Sequence, residues 1–245
     1  MINIKINIAT WFILIVSFLC GYINYSLIIL MIILCHELGH IITIKLFHYK
    51  INKIEIFPFG GVIKLEKDLN TPVYKELLIA VSGIIMQLIL FLIMPNILSS
   101  YNYDIFRKYN LAIMLFNLLP IIPFDGSIIL NAFLNKFIAF KNSLLVSSIV
   151  SMVMIALYIS FNYWYSLNNY FIVSLFLLKT FKYIKEREYL FNKFLLERYL
   201  NNYNFKYLST KEGNLDILKI DTYQYFKDKK KVISEKEMLK ERFNK

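Results

Sequence analysis

His36, Glu37, Leu38, Gly39 and His40 spell HELGH, an instance of the HExxH pattern. Two imidazoles four residues apart share one helical face about one turn from each other, which suits two ligands of a single tetrahedral zinc ion. Glu37 projects beside them. There a carboxylate can take a proton from a water that the metal has made acidic. The chain has only three histidines. The third, His48, follows His40 by eight residues at the polar end of the same segment and reads as an interfacial residue.

A catalytic zinc takes three protein ligands and leaves its fourth position for water, so one more must come from elsewhere in the chain. Asp125 is the candidate, in the stretch NLLPIIPFDG that begins at Asn117. Pro120 and Pro123 interrupt an apolar helix there and free backbone carbonyls, which is tolerated at membrane depth only beside protein or a water-filled cavity. The Asn117 amide has two readings that stay open: a donor to an oxyanion or substrate carbonyl, or a cap for the broken helix. Depth gives a separate check at about 1.5 Å per residue: His36 falls roughly 13 Å from Lys45 and Asp125 roughly 16 Å from Lys136.

These residues are carried by a chain of 245 residues that is 58% hydrophobic, with a mean hydropathy of +0.52, well above the globular range. No Asp, Glu, Lys or Arg occurs from Ile6 to Cys35. Apolar segments run from Asn7 to Cys20, Ser26 to Phe47, Leu77 to Leu98, Leu111 to Phe133, Leu144 to Phe161 and Tyr170 to Phe181, which predicts six membrane crossings. A cleaved leader is disfavoured because bulky Phe18, Leu19 and Tyr22 surround Cys20 and Gly21. Cys20 and Cys35 are the only cysteines, too few for a disulfide framework or a paired-cysteine metal motif.

An even number of crossings puts both termini on one side, and the basic residues choose the cytosol. Of the 28 Lys and Arg, only Arg107 and Lys108 fall on the other face. That distribution also accounts for the net charge of +11, so no nucleic-acid partner is expected.

Two stretches are not membrane-like. Between Lys50 and Glu76 charge mixes with PFGGVIKLE, where Gly60 and Gly61 between alternating apolar residues predict a hairpin or bulge. Glu55, Glu66, Asp68 and Glu76 lie among lysines there and read as solvated ion pairs. After Lys185 the chain is soluble, with a hairpin predicted at LSTKEGNLDILKI and a last helix opened by a capping box from Ser234 to Glu237. The expected architecture is an all-α polytopic membrane protein of about six transmembrane helices. It carries a small β-hairpin insertion and a small α+β cytosolic lobe, divided into residues 1–184 and 185–245.

HELGH in the second hydrophobic helix, followed some eighty residues later by NLLPIIPFDG, resembles the site-2 protease family of intramembrane metalloproteases over roughly residues 1–181. The resemblance implies one Zn2+ held by His36, His40 and Asp125, Glu37 as general base, and Asn117, Pro120 and Pro123 as a substrate-handling loop. With PFGGVI before the third helix and no inserted PDZ domain, the chain is most similar to the sporulation members of that family. The similarity implies a membrane-associated substrate such as a sigma-factor precursor, membrane-protein inhibitors, and the membrane surrounding a forespore.

Several positions depart from the family pattern. Leu118 stands where many members have Pro, Ser127 where many have a second Gly, and Ile84 and Gln87 where a Gly-Pro and Asn motif is common. These changes are expected to touch packing and substrate contacts rather than metal ligands. The residues after Lys185 are too few for the pair of nucleotide-sensing CBS motifs that members often carry. For substrate entry, the Gly60 and Gly61 hairpin offers a strand edge to an extended peptide. The competing class is a metal-binding membrane protein without hydrolase activity, a transporter or an inactive client-binding protease.

Overall fold

The computed structural model describes residues 3–57, 60–161, 167–228 and 231–244. The chain divides into two compact units, residues 1–67 with 78–118 and residues 68–77 with 119–245.

The first unit opens with β1 (Asn3–Ile6), followed by α1 (Ile8–Leu19) and α2 (Ile23–Leu46). Asn7 makes the first junction: its side chain accepts from Ala9 N and caps α1, while its own N–H donates to the Ile56 carbonyl at 2.9 Å. Gly21, at φ +78°, makes the break expected between α1 and α2. β2 (Lys50–Phe57) and β3 (Gly60–Glu66) form the expected hairpin, whose turn at 58–59 lies outside the described residues. The hairpin is joined by β1, which pairs parallel to β2 in the order β1-β2-β3. Gly60 and Gly61 begin β3, and the register irregularity lies at Ile51/Lys53 instead. Residues 78–93 of α3 (Val73–Ile93) and α4 (Ser100–Leu118) complete the unit. Ile28, Ile32, Leu90, Ile105 and Phe106 form its apolar core.

The second unit holds residues 68–77, then α5 (Asp125–Phe137), α6 (Phe140–Phe161) and α7 (Leu167–Leu200), and the C-terminal strands and helix. The predicted crossing from Leu111 to Phe133 is not one helix. α4 ends at Leu118 and α5 begins at Asp125, with Pro120 and Pro123 between them and a cis peptide bond at Ile122–Pro123. The freed backbone groups find a partner in this unit. Ser151 Oγ on α6 accepts from Ile122 N at 3.3 Å and lies 3.2 Å from the Pro120 carbonyl. α7 runs without interruption from an apolar first half through Lys185 to Leu200.

β4 (Tyr207–Lys211), β5 (Thr222–Asp228) and β6 (Lys231–Ser234) form a second sheet, and α8 (Glu235–Phe243) closes the chain. The hairpin predicted at residues 208–220 is not present. β4 pairs parallel to β5, and Leu215, Leu218 and Ile220 between them are buried in the core with Phe191, Phe194 and Leu239 rather than extended in a strand. The hairpin joins β5 to β6 instead. α8 begins with the expected capping box, in which Ser234 accepts from Glu237 N and Glu237 accepts from Ser234 N.

Among the described residues three helices, Ile23–Leu46, Val73–Asn96 and Phe140–Phe161, are long and apolar enough to cross a membrane, and Ile8–Leu19 is a shorter apolar helix. Their outer faces are dry-loving. On α1, Ile8, Phe12, Phe18 and Leu19 are each more than two-thirds exposed, an arrangement that lipid stabilises and water does not.

Candidate metal centre

α2 puts His36, Glu37 and His40 inside the first unit, all buried. The two imidazoles meet edge to face with ring centroids 4.7 Å apart, and their Nε2 atoms are 3.1 Å apart. Two nitrogens bound to one tetrahedral zinc at 2.0–2.1 Å are separated by about 3.3 Å, so the pair has the spacing that the ion requires. The opposite ring nitrogens are engaged as well. His40 Nδ1 lies 2.7 Å from the Ile79 carbonyl, which can only accept, so Nδ1 carries the proton and Nε2 presents its lone pair. His36 Nδ1 lies 3.1 Å from Gln87 Oε1. With both rings protonated at Nδ1, their Nε2 lone pairs would face each other across 3.1 Å, an arrangement that a shared cation stabilises, and a borderline-soft divalent ion suits an imidazole pair.

Glycines bring the neighbouring backbone up to this pair. A Cβ on Gly83 of α3 would lie 2.5 Å from His36 Cε1 and 2.6 Å from His40 Nε2. A Cβ on Gly39 would meet the Ser82 carbonyl oxygen at 2.4 Å, so the two backbones pack at a distance only small residues allow. Gly83 was not singled out from the sequence, where nothing local distinguishes it.

Glu37 faces the hairpin. Its Oε1 accepts from Gly61 N at 2.7 Å, and a Cβ on Gly61 would lie 2.6 Å from Glu37 Cδ. Gly60 has φ +150°, a conformation natural to glycine. The two hairpin glycines are therefore fitted to the general-base candidate itself. Because the Gly61 N–H points away from β2, alternation along the strand turns the Ile63 N–H to the same open edge.

The remaining expected residues have these places. Asn117 lies in the last turn of α4 and is half-buried; Pro120 and Pro123 lie in the connection that follows; Asp125 is the first residue of α5 and half-buried. His48 is exposed just past the end of α2, with φ +59°. Gln87 departs from its expected role. It was expected to touch packing or substrate, yet its side chain meets the ring of a ligand candidate.

Residues 24–109 match the family model described as Peptidase family M50. That span contains His36, Glu37, His40, Gly60 and Gly61, while Asn117, Pro120, Pro123 and Asp125 follow it. Over that segment the chain is similar to Peptidase family M50, and the enzyme class these matches support is a metalloendopeptidase.

Among known proteins it is similar to stage IV sporulation protein FB of Bacillus subtilis, at 27% identity over 81% of this chain and 72% of that protein. It is 30% identical to a putative zinc metalloprotease of Synechocystis, over 44% of this chain and 30% of that one. A zinc metalloprotease of Methanocaldococcus jannaschii is 32% identical over 42% of this chain and 32% of its own length. The chain spans about a third of each of the last two. Its fold is that of a solved site-2 protease from Methanocaldococcus jannaschii, with a TM-score of 0.54 and 23% identity over 76% of this chain and 91% of the other.

Proposed function

We propose that this chain is a multi-pass intramembrane endopeptidase that cleaves a membrane-associated pro-protein, with one Zn2+ held by His36, His40 and Asp125. The observation that carries the reading is the approach of the His36 and His40 Nε2 atoms to 3.1 Å on the buried stretch of α2 that also carries Glu37. A carboxylate in the sequence context NLLPIIPFDG supplies the oxygen ligand that a histidine pair needs to complete a catalytic set. When bound there, zinc would polarise the scissile carbonyl and acidify a water.

Glu37 takes the proton from that water at its carboxylate and returns it to the leaving amine. The Asn117 amide donates to the substrate carbonyl, and the loop with Pro120 and Pro123 holds the unwound peptide. The hairpin serves as a strand edge: an extended peptide laid beside β3 would pair with the outward N–H of Ile63. Gly60 and Gly61 leave room for Glu37 where that edge begins.

Six crossings with both termini in the cytosol complete the reading: the three long apolar helices found among the described residues support insertion in a membrane, and the one-sided distribution of Lys and Arg supports the orientation. Residues 1–184 form the protease domain within membrane lipid. Residues 185–245 form a basic cytosolic lobe that docks the soluble part of the substrate. By similarity to the Bacillus subtilis sporulation protein, the substrate is a sigma-factor precursor, the site of action the membrane around a forespore, and membrane-protein inhibitors are further partners.

Co-expression with membrane-associated sigma-factor precursors tests the reading. Wild type should release the shortened product, and Glu37→Gln should bind zinc with cleavage reduced by about 10²–10⁴-fold, the usual contribution of a general base. Undiminished function in Glu37→Gln would favour a transporter or client-binding protein instead. Full zinc content in Asp125→Asn would favour a metalloprotease with a different third ligand.

A further inference from the structure

Gln87 and Asn110 are buried to 0% and 1% exposure in the apolar interior of the first unit, one on α3 and one on α4. Burying two carboxamides in this setting is costly unless their hydrogen bonds are made and do something useful. Their contacts form a directed chain. Asn110 Nδ2 lies 3.3 Å from the backbone carbonyl of Gln87, an atom that can only accept. That contact assigns nitrogen and oxygen in the Asn110 amide and turns its Oδ1 toward Gln87. Oδ1 in turn accepts from Gln87 Nε2 at 3.4 Å. With Nε2 committed there, Gln87 has its Oε1 toward His36 Nδ1, 3.1 Å away.

We infer that Gln87 and Asn110 are positioning residues for the metal centre. Together they hold the proton of His36 on Nδ1 and aim its Nε2 lone pair at the ion. A glutamine alone is ambivalent, because a half-turn of its amide would present N–H₂ to His36 and favour the wrong tautomer. Asn110 removes that freedom by reading a backbone carbonyl, whose polarity cannot change. His40 needs no such device, since the Ile79 carbonyl contacts its Nδ1 directly. Partners of this kind orient the ring and raise the basicity of the coordinating nitrogen.

The inference rests on the zinc reading above, and zinc affinity in a Glu37→Gln background, measured against a competing chelator in detergent, distinguishes the two. Wild-type residues at 87 and 110 should bind zinc; no binding there sinks both readings. Gln87→Leu should weaken zinc by about 10–100-fold and alter the visible spectrum of the cobalt-substituted protein. Should that variant fail to fold, Gln87→Met carries the same expectation. Gln87→Glu, whose two oxygens both accept, should bind within a few-fold of the parent.

Asn110→Leu should weaken zinc when residue 87 is Gln, and lose its effect when residue 87 is Glu, because a carboxylate has no orientation to fix. Parent affinity and an unchanged cobalt spectrum in Gln87→Leu would overturn the inference. So would an equal loss from Asn110→Leu in both backgrounds, the signature of a packing role.

Discussion

Glu37 receives its hydrogen bond from the backbone of Gly61 across 24 residues of sequence, and a methyl group at that glycine has no space. Gly61→Ala should therefore push the carboxylate out of line while leaving the imidazole pair in place. Displacing a reacting group by about 1 Å costs roughly 100-fold in rate. The expected result is cleavage lowered on that scale with zinc content unchanged, read by substrate processing beside metal analysis of the same preparation. Equal loss of both would mean that the hairpin glycine acts through folding instead. HELGH was legible from the sequence because both ring positions and the base lie within one helical turn. Gly61, Gly83, Gln87 and Asn110 were not legible in these roles. Each acts through a contact to an element distant in sequence, and nothing in their own surroundings records that partner.

Among the elements, one deeply buried polar link lies in the second unit. Arg198 near the end of α7 donates to Glu235 at 2.8 Å, with side-chain exposures of 1% and 2%. It also donates to Asn70 Oδ1 at 2.6 Å and to the carbonyls of Thr222 and Lys219. Burial draws the guanidinium below its ordinary range, opposed by the adjacent Glu235 charge. One side chain thus ties α7 to the segment before α3, to β5 and to α8. Removing one partner leaves the other charge buried, so Arg198→Met should destabilise the lobe by about 3–5 kcal/mol, whereas the double change Arg198→Met with Glu235→Leu should recover part of that loss. Limited proteolysis of the lobe in each variant measures it, and equal protease resistance in wild type and Arg198→Met would contradict the assignment.

The proline break and the apolar runs of α1, α2, α3 and α6 were legible here because hydrophobic patterning and proline chemistry are local, whereas α4 starts at Ser100 rather than Leu111. The second sheet was misread for the opposite reason. A hairpin was expected around Gly213, but parallel pairing of β4 with β5 leaves no turn signature, and its apolar connector belongs to the core. β1 was missed because four residues beside a capped helix give too short a pattern, and its partner lies about fifty positions away.

For the molecule as a whole, composition points to lipid as the solvent, and the basic residues predict an orientation with both termini in the cytosol. Reporter fusions should place residues near Lys5, Lys64, Lys141 and Lys193 in the cytosol and residues near Arg107 outside it; a cytosolic signal at Arg107 would contradict six crossings. The match to Peptidase family M50 spans HELGH, a motif whose residue types are set by the chemistry, and ends before NLLPIIPFDG. The third ligand is the step on which the mechanism turns. X-ray absorption at the zinc edge of the purified, zinc-loaded protein tests it most directly. Two imidazole nitrogens and one carboxylate oxygen at about 2.0–2.2 Å, with the oxygen shell altered in Asp125→Asn, is the predicted result. A shell with fewer than two imidazoles, or one identical in wild type and Asp125→Asn, would contradict it.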